Sequence, residues 1–181
     1  MALKGDVVQL VSCGMTDVGM RRTHNEDNFL INDEFQLFVV CDGMGGHVGG
    51  EVASAIAVRT VEEAFMEQSW SVVGQSLEDR LKLAEEHIRV AVRLAGSKIH
   101  DAAKLERRYR GMGTTCVVMY VQDSRCVVAH VGDSRGYRIR ENTIEQLTED
   151  HSLVNERIRA GLMTAEEAKH YRFKNVITRS L

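Results

Sequence analysis

Two amphipathic helical stretches interrupt a chain otherwise built from short β-branched runs, and this order of elements restricts the fold more than any other feature. From Glu51 to about Met66, the residues Val52, Ala55, Ile56, Val61, Ala64 and Phe65 recur at helical spacing. From Leu77 to about Leu105, the positions Leu77, Leu81, Ala84, Ile88, Ala91, Ala95 and Ile99 mark one face, with charges opposite. Ser76, with Asp79 three residues on, resembles a capping box opening the second stretch. Trp70, between the two, reads as a packing anchor. Ahead of the helices stand Val7 to Cys13, Asn28 to Ile31 and Phe35 to Cys41, with Asn32-Asp33-Glu34 as a hairpin-type loop. Behind them come Thr115–Val121, Arg125–His130, Gly136–Arg140 and Thr143–Leu147, separated by tight polar turns. Consecutive hairpins predict antiparallel pairing. His151 to His170 reads as polar and helical, with a second capping box at Thr164 and Glu167. Strands, two helices and strands again predict an α+β layering rather than a doubly wound parallel sheet.

Composition removes several function classes. The 181 residues carry 23 Lys and Arg against 26 Asp and Glu, a formal charge of −3. Nucleic acid and polybasic membrane contact both call for a clustered positive field, so neither partner is expected. No window reaches 18 uncharged apolar residues, and Met1-Ala2-Leu3-Lys4-Gly5-Asp6 lacks the apolar core of a signal peptide. Cys13, Cys41, Cys116 and Cys126 form no Cys-x-x-Cys pair, and three of them lie inside apolar stretches. That pattern predicts buried, reduced thiols in a cytoplasmic protein. Ordinary usage would give about nine prolines; there are none, so glycine supplies the turns.

The densest chemical signal is Val39-Val40-Cys41-Asp42-Gly43-Met44-Gly45-Gly46-His47-Val48-Gly49-Gly50-Glu51. A strand ends in an aspartate, glycines crowd the next residues, and a helix begins. A carboxylate beside glycine at a strand end can offer side-chain oxygens and a carbonyl to a hard cation; a solvated turn has the same appearance. Upstream, Arg22-Thr23-His24-Asn25-Glu26-Asp27 unites an arginine suited to bidentate phosphate capture with adjacent carboxylates. Taken alone it is equally a charged surface turn. Downstream lie Gly111-Met112-Gly113-Thr114-Thr115 and Val131-Gly132-Asp133-Ser134-Arg135. Asp133 can ligate a metal, or simply close its turn through its own backbone amides.

In this order the four segments resemble the PPM-type metal-dependent protein phosphatases (the type 2C family), whose bacterial members read Arg-x-x-x-Glu-Asp, Asp-Gly-Met-Gly-Gly-His, Gly-Thr-Thr and Gly-Asp-Ser-Arg. Leu147-Thr148-Glu149-Asp150-His151-Ser152-Leu153, the helix ending at Gly161, and Asn175-Val176-Ile177-Thr178-Arg179 resemble the family's flap and the strand after it. The resemblance implies a single domain over 1–181, with a flap-like segment about 148–172. Its fold would be a four-layer α-β-β-α sandwich of two antiparallel sheets flanked by helices. It implies two, or with a flap-side ion three, Mn²⁺ or Mg²⁺ ions, and hydrolysis of phosphoserine and phosphothreonine on proteins that serve a serine/threonine kinase. Carried over by position, Asp42 bridges the two metals and the Gly43 carbonyl ligates one. Glu26 and Asp27 are the acidic pair beside them, Arg22 holds the phosphate, and Asp133 serves the third ion. His47 is carried over as the general acid. The chemistry agrees: two metals neutralise a phosphate monoester and ionise a water without a protein nucleophile.

The family's domain is longer. Its further strands carry a second Asp-Gly and a later Asp-Asn; no Asp-Gly besides Asp42-Gly43 stands in these 181 residues. Three readings follow: a phosphatase of which this chain is a part, a pseudophosphatase that binds phosphoproteins without turnover, and a module that self-associates through open sheet edges.

Overall fold

The computed structural model describes residues 9–45, 48–67 and 76–181, so His47 and Trp70 lie outside the described residues. Strand β2 (Leu37–Met44) organises the rest. Leu37, Val39, Cys41 and Gly43 are buried, while Val40 and Asp42 alternate with them on an exposed side. β1 (Asp27–Asn32) pairs on one flank, β4 (Cys116–Gln122) on the other, and β5 (Arg125–Val131) lies beyond β4. The two-residue β3 (Gly113–Thr114) continues along β2 past β4, with Gly43 opposite Thr114 and Met44 opposite Gly113. Every ladder is antiparallel, as the hairpin spacing predicts.

Helices cover one face of this sheet. α1 (Gly49–Met66) packs on β1 and β2, and α2 (Leu77–Leu105) packs on α1, β4 and β5. The core joins Leu37, Val39, Val118 and Tyr120 of the sheet to Ala53, Ala57, Val61 and Phe65 of α1 and to Ile88 and Ile99 of α2. The rings of Phe65 and Tyr120 stand 5.1 Å apart and tilted. The expected face of α2 is the buried one. That of α1 is rotated: Ala53, Ser54, Ala57 and Thr60 are buried, whereas Ala55 is exposed. Small residues face inward because the helix rides close to the sheet, and periodicity weighted by side-chain size misses that. Ser76 accepts from Asp79 N as foreseen, and Thr164 with Glu167 forms a full capping box.

The opposite sheet face is open. Phe29, Ile31, Phe38, Val40, Val117 and Met119 share it by register, and Asp27 and Asp42 sit at one end of the same face. Residues 10–16 run over it, and with β1 and β2 they line a cavity of about 420 Å³. The expected strand from Val7 to Cys13 is not one over its described part: residues 9–13 join no ladder, and 10–13 line the cavity over the sheet. Two cysteines rather than three are buried. Cys41 and Cys116 face the helices, whereas Cys126 stands on the open side and Cys13 on the covering segment. Cys116 beside it and burial push the Cys41 thiol far above its ordinary value, so it is no nucleophile. Of the four layers expected, the described residues form a helix layer and a five-stranded sheet, with a separate two-stranded ribbon.

That ribbon, β6 (Tyr137–Arg140) with β7 (Thr143–Gln146), precedes the segment 148–172 that is expected to be flap-like. The expected polar helix divides into α3 (Leu153–Arg159) and α4 (Ala165–His170), separated at Gly161, whose φ of +70° suits glycine. The base of the region is tied to β5. His151 N donates to Gly132 O at 2.9 Å, and Gly132 N donates to His151 Nδ1 at 3.2 Å. Arg135 grips both oxygens of Asp150. The His151 ring stacks on His130 at 4.8 Å. Desolvation, then His130 and Arg179, hold His151 below the ordinary histidine pKa, against smaller opposing effects of Glu149 and Glu156. Only the neutral ring accepts from Gly132. The unfolded chain therefore binds the extra proton first, and stability contributed here is lost as pH falls below about 6.5. Thermal unfolding followed from pH 7.5 to 5.5 should show this decline, and His151→Gln should flatten it.

Candidate functional site

Asp42 owes its position to the strand beside it. The register of β2 with β3 and β4 places Thr115 opposite Asp42. Thr115 N donates to Asp42 O at 2.9 Å, as a ladder requires. The return bond is different: Asp42 N donates to the Thr115 hydroxyl, at 2.9 Å, instead of the Thr115 carbonyl. Thr114 Oγ1, 3.0 Å from Asp42 O, meets the same peptide from the other side. Both neighbours are buried, so the Asp42 backbone is held while its carboxylate is left to the open face.

The next residue sets how the helix meets the sheet. A Cβ on Gly43 would lie 2.1 Å from the Gly50 carbonyl oxygen, so no side chain fits between the strand end and the first turn of α1. Gly43 N donates to Glu26 O at 3.1 Å, and Ser54 of α1 donates to the same carbonyl at 2.6 Å. One backbone oxygen thus ties strand end and helix together. Gly45, at φ +132°, lies against Met112, whose Cα would stand 2.6 Å from a Cβ there.

The acidic pair divides. Asp27 pairs with Asp42 in register and shares its face. Glu26 points toward the first turn of α1, where a Cβ on Gly50 would lie 2.7 Å from Glu26 Oε1. That oxygen is buried and has no hydrogen-bond partner among the described residues. Its other oxygen lies 3.6 Å from the exposed guanidinium of Arg22. Arg21, Arg22, Thr23, His24 and Glu26 line an open cavity of about 250 Å³. Asp133 follows Gly132, at φ +101°, in the loop after β5.

Electrostatics gather these groups around Asp42. Desolvation raises its pKa first; Asp27 raises it further by charge and by hydrogen bond, Arg22 opposes, and Asp133 adds to the rise. A carboxylate so crowded by like charge, beside an orphaned buried glutamate oxygen, suits a site that takes up positive charge. Among the described residues, no three carboxylates, imidazoles or thiols converge as a closed metal cage. The donors are hard oxygens and fit Mg²⁺ or Mn²⁺ as one side of a coordination shell. The structure thus brings Arg22, Asp27 and Asp133 within electrostatic reach of Asp42 and turns Glu26 toward the first turn of α1. Sequence alone assigns no role to the threonines of Gly113-Thr114-Thr115; two hydroxyls next to glycine at a strand start are the signal that points to them.

The chain matches the protein phosphatase 2C family model over residues 20–179. It is 41% identical to a serine/threonine phosphatase of Listeria welshimeri, over 92% of this chain and 64% of that protein. A serine/threonine phosphatase structure from Staphylococcus aureus superposes with a TM-score of 0.79 at 37% identity, over 92% of this chain and 64% of that one. The catalytic domain of a serine/threonine protein phosphatase solved with two manganese ions gives 0.70 at 32% identity, over 91% of this chain and 63% of that one. The chain therefore spans a little under two thirds of the length of these relatives. No helix among the described residues is long and apolar enough to cross a membrane.

The contact of Gly43 with Gly50 can be tested directly. Gly43→Ala should force the first turn of α1 away and lower stability by about 1–3 kcal/mol, measured by urea unfolding.

Proposed function

The chain belongs to the protein phosphatase 2C family, and on that footing we propose that it takes part in metal-dependent hydrolysis of phosphoserine and phosphothreonine on proteins. The observation that carries the reading is the pairing of Asp27 with Asp42 at the open end of β2, with Arg22 and Asp133 near enough to act on the Asp42 carboxylate. Asp42 and the Gly43 carbonyl would hold two Mn²⁺ or Mg²⁺ ions, with Glu26 and Asp27 beside them and Asp133 toward a further one. When bound, such ions supply charge neutralisation and a water activated for in-line attack. Arg22 offers the phosphate a bidentate contact, and its ion pair with Glu26 keeps the guanidinium near the acids. Asp42 would be kept ionised there, with the repulsion of its neighbours offset by bound positive charge. His47 is our candidate for protonating the departing side-chain oxygen. Residues 148–172 form the flap, and the substrates are proteins phosphorylated by a serine/threonine kinase.

A second reading is a binding module that holds phosphoproteins without turnover, or self-associates through open sheet edges. It is favoured by the absence of a closed cage among the described residues. Mn²⁺ and a phosphothreonine peptide separate the two. Phosphate release supports hydrolysis, peptide binding without release supports the module, and neither outcome overturns both.

Two substitutions give directional outcomes wherever turnover is measured. Asp42→Asn should abolish Mn²⁺-dependent phosphate release, because it removes the shared carboxylate. Arg22→Ala should raise KM for the phosphopeptide about tenfold while leaving Mn²⁺ affinity within about twofold, read by steady-state kinetics and calorimetry.

A further inference from the structure

We propose that Thr115 is a positioning residue whose hydroxyl couples the strand end bearing Asp42 to the loop bearing Asp133, holding the two carboxylates as one unit. The inference rests on reading both aspartates as parts of one cation site.

Three parts of the side chain and backbone of Thr115 are engaged at once. Its backbone N–H donates to Asp42 O. Its hydroxyl oxygen accepts Asp42 N–H at 2.9 Å and stands 2.7 Å from Ser134 Oγ, the residue directly after Asp133. Its methyl lies under Gly132: a Cβ there would come within 2.6 Å of Thr115 Cγ2, and Gly132 holds a φ of +101°. Thr115 is 1% exposed, so its hydroxyl proton has no water to find. Ser134 Oγ is its one recorded acceptor among the described residues, and a buried hydroxyl donates where it can.

The ladder explains why a threonine stands here. In an ordinary antiparallel pair, Asp42 N–H would donate to the carbonyl opposite. A carbonyl only accepts. A hydroxyl in that place accepts and then donates onward, so the hydrogen-bond chain runs from Asp42 through Thr115 to Ser134. The chain joins segments 73 and 19 residues distant in sequence. Valine matches the shape but breaks the chain at both ends, and serine keeps the chain but leaves a gap under Gly132.

Mn²⁺ alone is the probe, with calorimetry for affinity and hydrogen exchange of the Asp42 amide for the bond. Thr115→Val should weaken Mn²⁺ binding at least about tenfold and deprotect the Asp42 amide. Thr115→Ser should recover affinity to within about threefold of the original chain. Ser134→Ala should weaken Mn²⁺ binding while leaving the Asp42 amide protected, because only the onward link is cut. Unchanged Mn²⁺ affinity in Ser134→Ala overturns the coupling even if Thr115→Val fails to fold. Failure of the unsubstituted chain to bind Mn²⁺ overturns the cation reading, and this inference with it. Unchanged affinity in Thr115→Val and Ser134→Ala, in a chain that does bind Mn²⁺, overturns the coupling alone.

Discussion

The contact on which the rest depends is the approach of the β2 end to the first turn of α1. At Gly43 and Gly50 the two backbones leave no room for a side chain. Such contact is available only to glycine, and it fixes where the helix layer begins relative to the strand. Glu26 O then receives a proton donor from each partner, Gly43 from the strand and Ser54 from the helix. The helix cannot slide without disturbing the residue after Asp42. Core packing behind this point, from Leu37 to Ile99, holds the layers together over their length. The glycine contact decides their register.

Alternation along β2 does the remaining placement. Residues facing the helices are buried, and Asp42 falls on the other parity. Asp27 arrives opposite it because β1 pairs without a bulge through six residue pairs. The same parity lines up Phe29, Val40, Phe38 and Met119, so the acids stand at one end of an apolar face. Low-dielectric neighbours on one side and like charges on the other explain the raised pKa of Asp42. The sheet thereby creates a demand for positive charge at a point where solvent still has access.

Loops from distant parts of the chain complete the arrangement. Arg22 is drawn in by Glu26, and the Asp133 loop is fastened between Thr115 below and the flap base beside it. His151 bonds both the N–H and the carbonyl of Gly132, which ties the segment after β7 to the residue before Asp133. Membership of the phosphatase 2C family gives this geometry a chemical setting, and the 38% to 41% identity to bacterial serine/threonine phosphatases spans 92% of the chain.

The sequence by itself determined the element order, the antiparallel pairing, the Thr164–Glu167 capping box, the Ser76 cap and the four segments that match the family. Those features depend on local patterns: hairpin spacing, a Thr-x-x-Glu start, glycines after an aspartate. It also identified Arg22, Asp27, Asp42 and Asp133 as a set through their resemblance to a family. Only tertiary structure decided that Glu26 and Asp27 point in different directions, because β-strand parity separates neighbours that sequence lists side by side. Only tertiary structure rotated α1 to bury Ala53 and Ala57, since close approach to the sheet rewards small side chains over large ones. The segment before Gly14 carries a strand's composition but joins no ladder over its described residues, because composition cannot supply a neighbouring edge. The role of Thr115 was likewise invisible, for a hydroxyl replaces a carbonyl only once the opposite strand is in place.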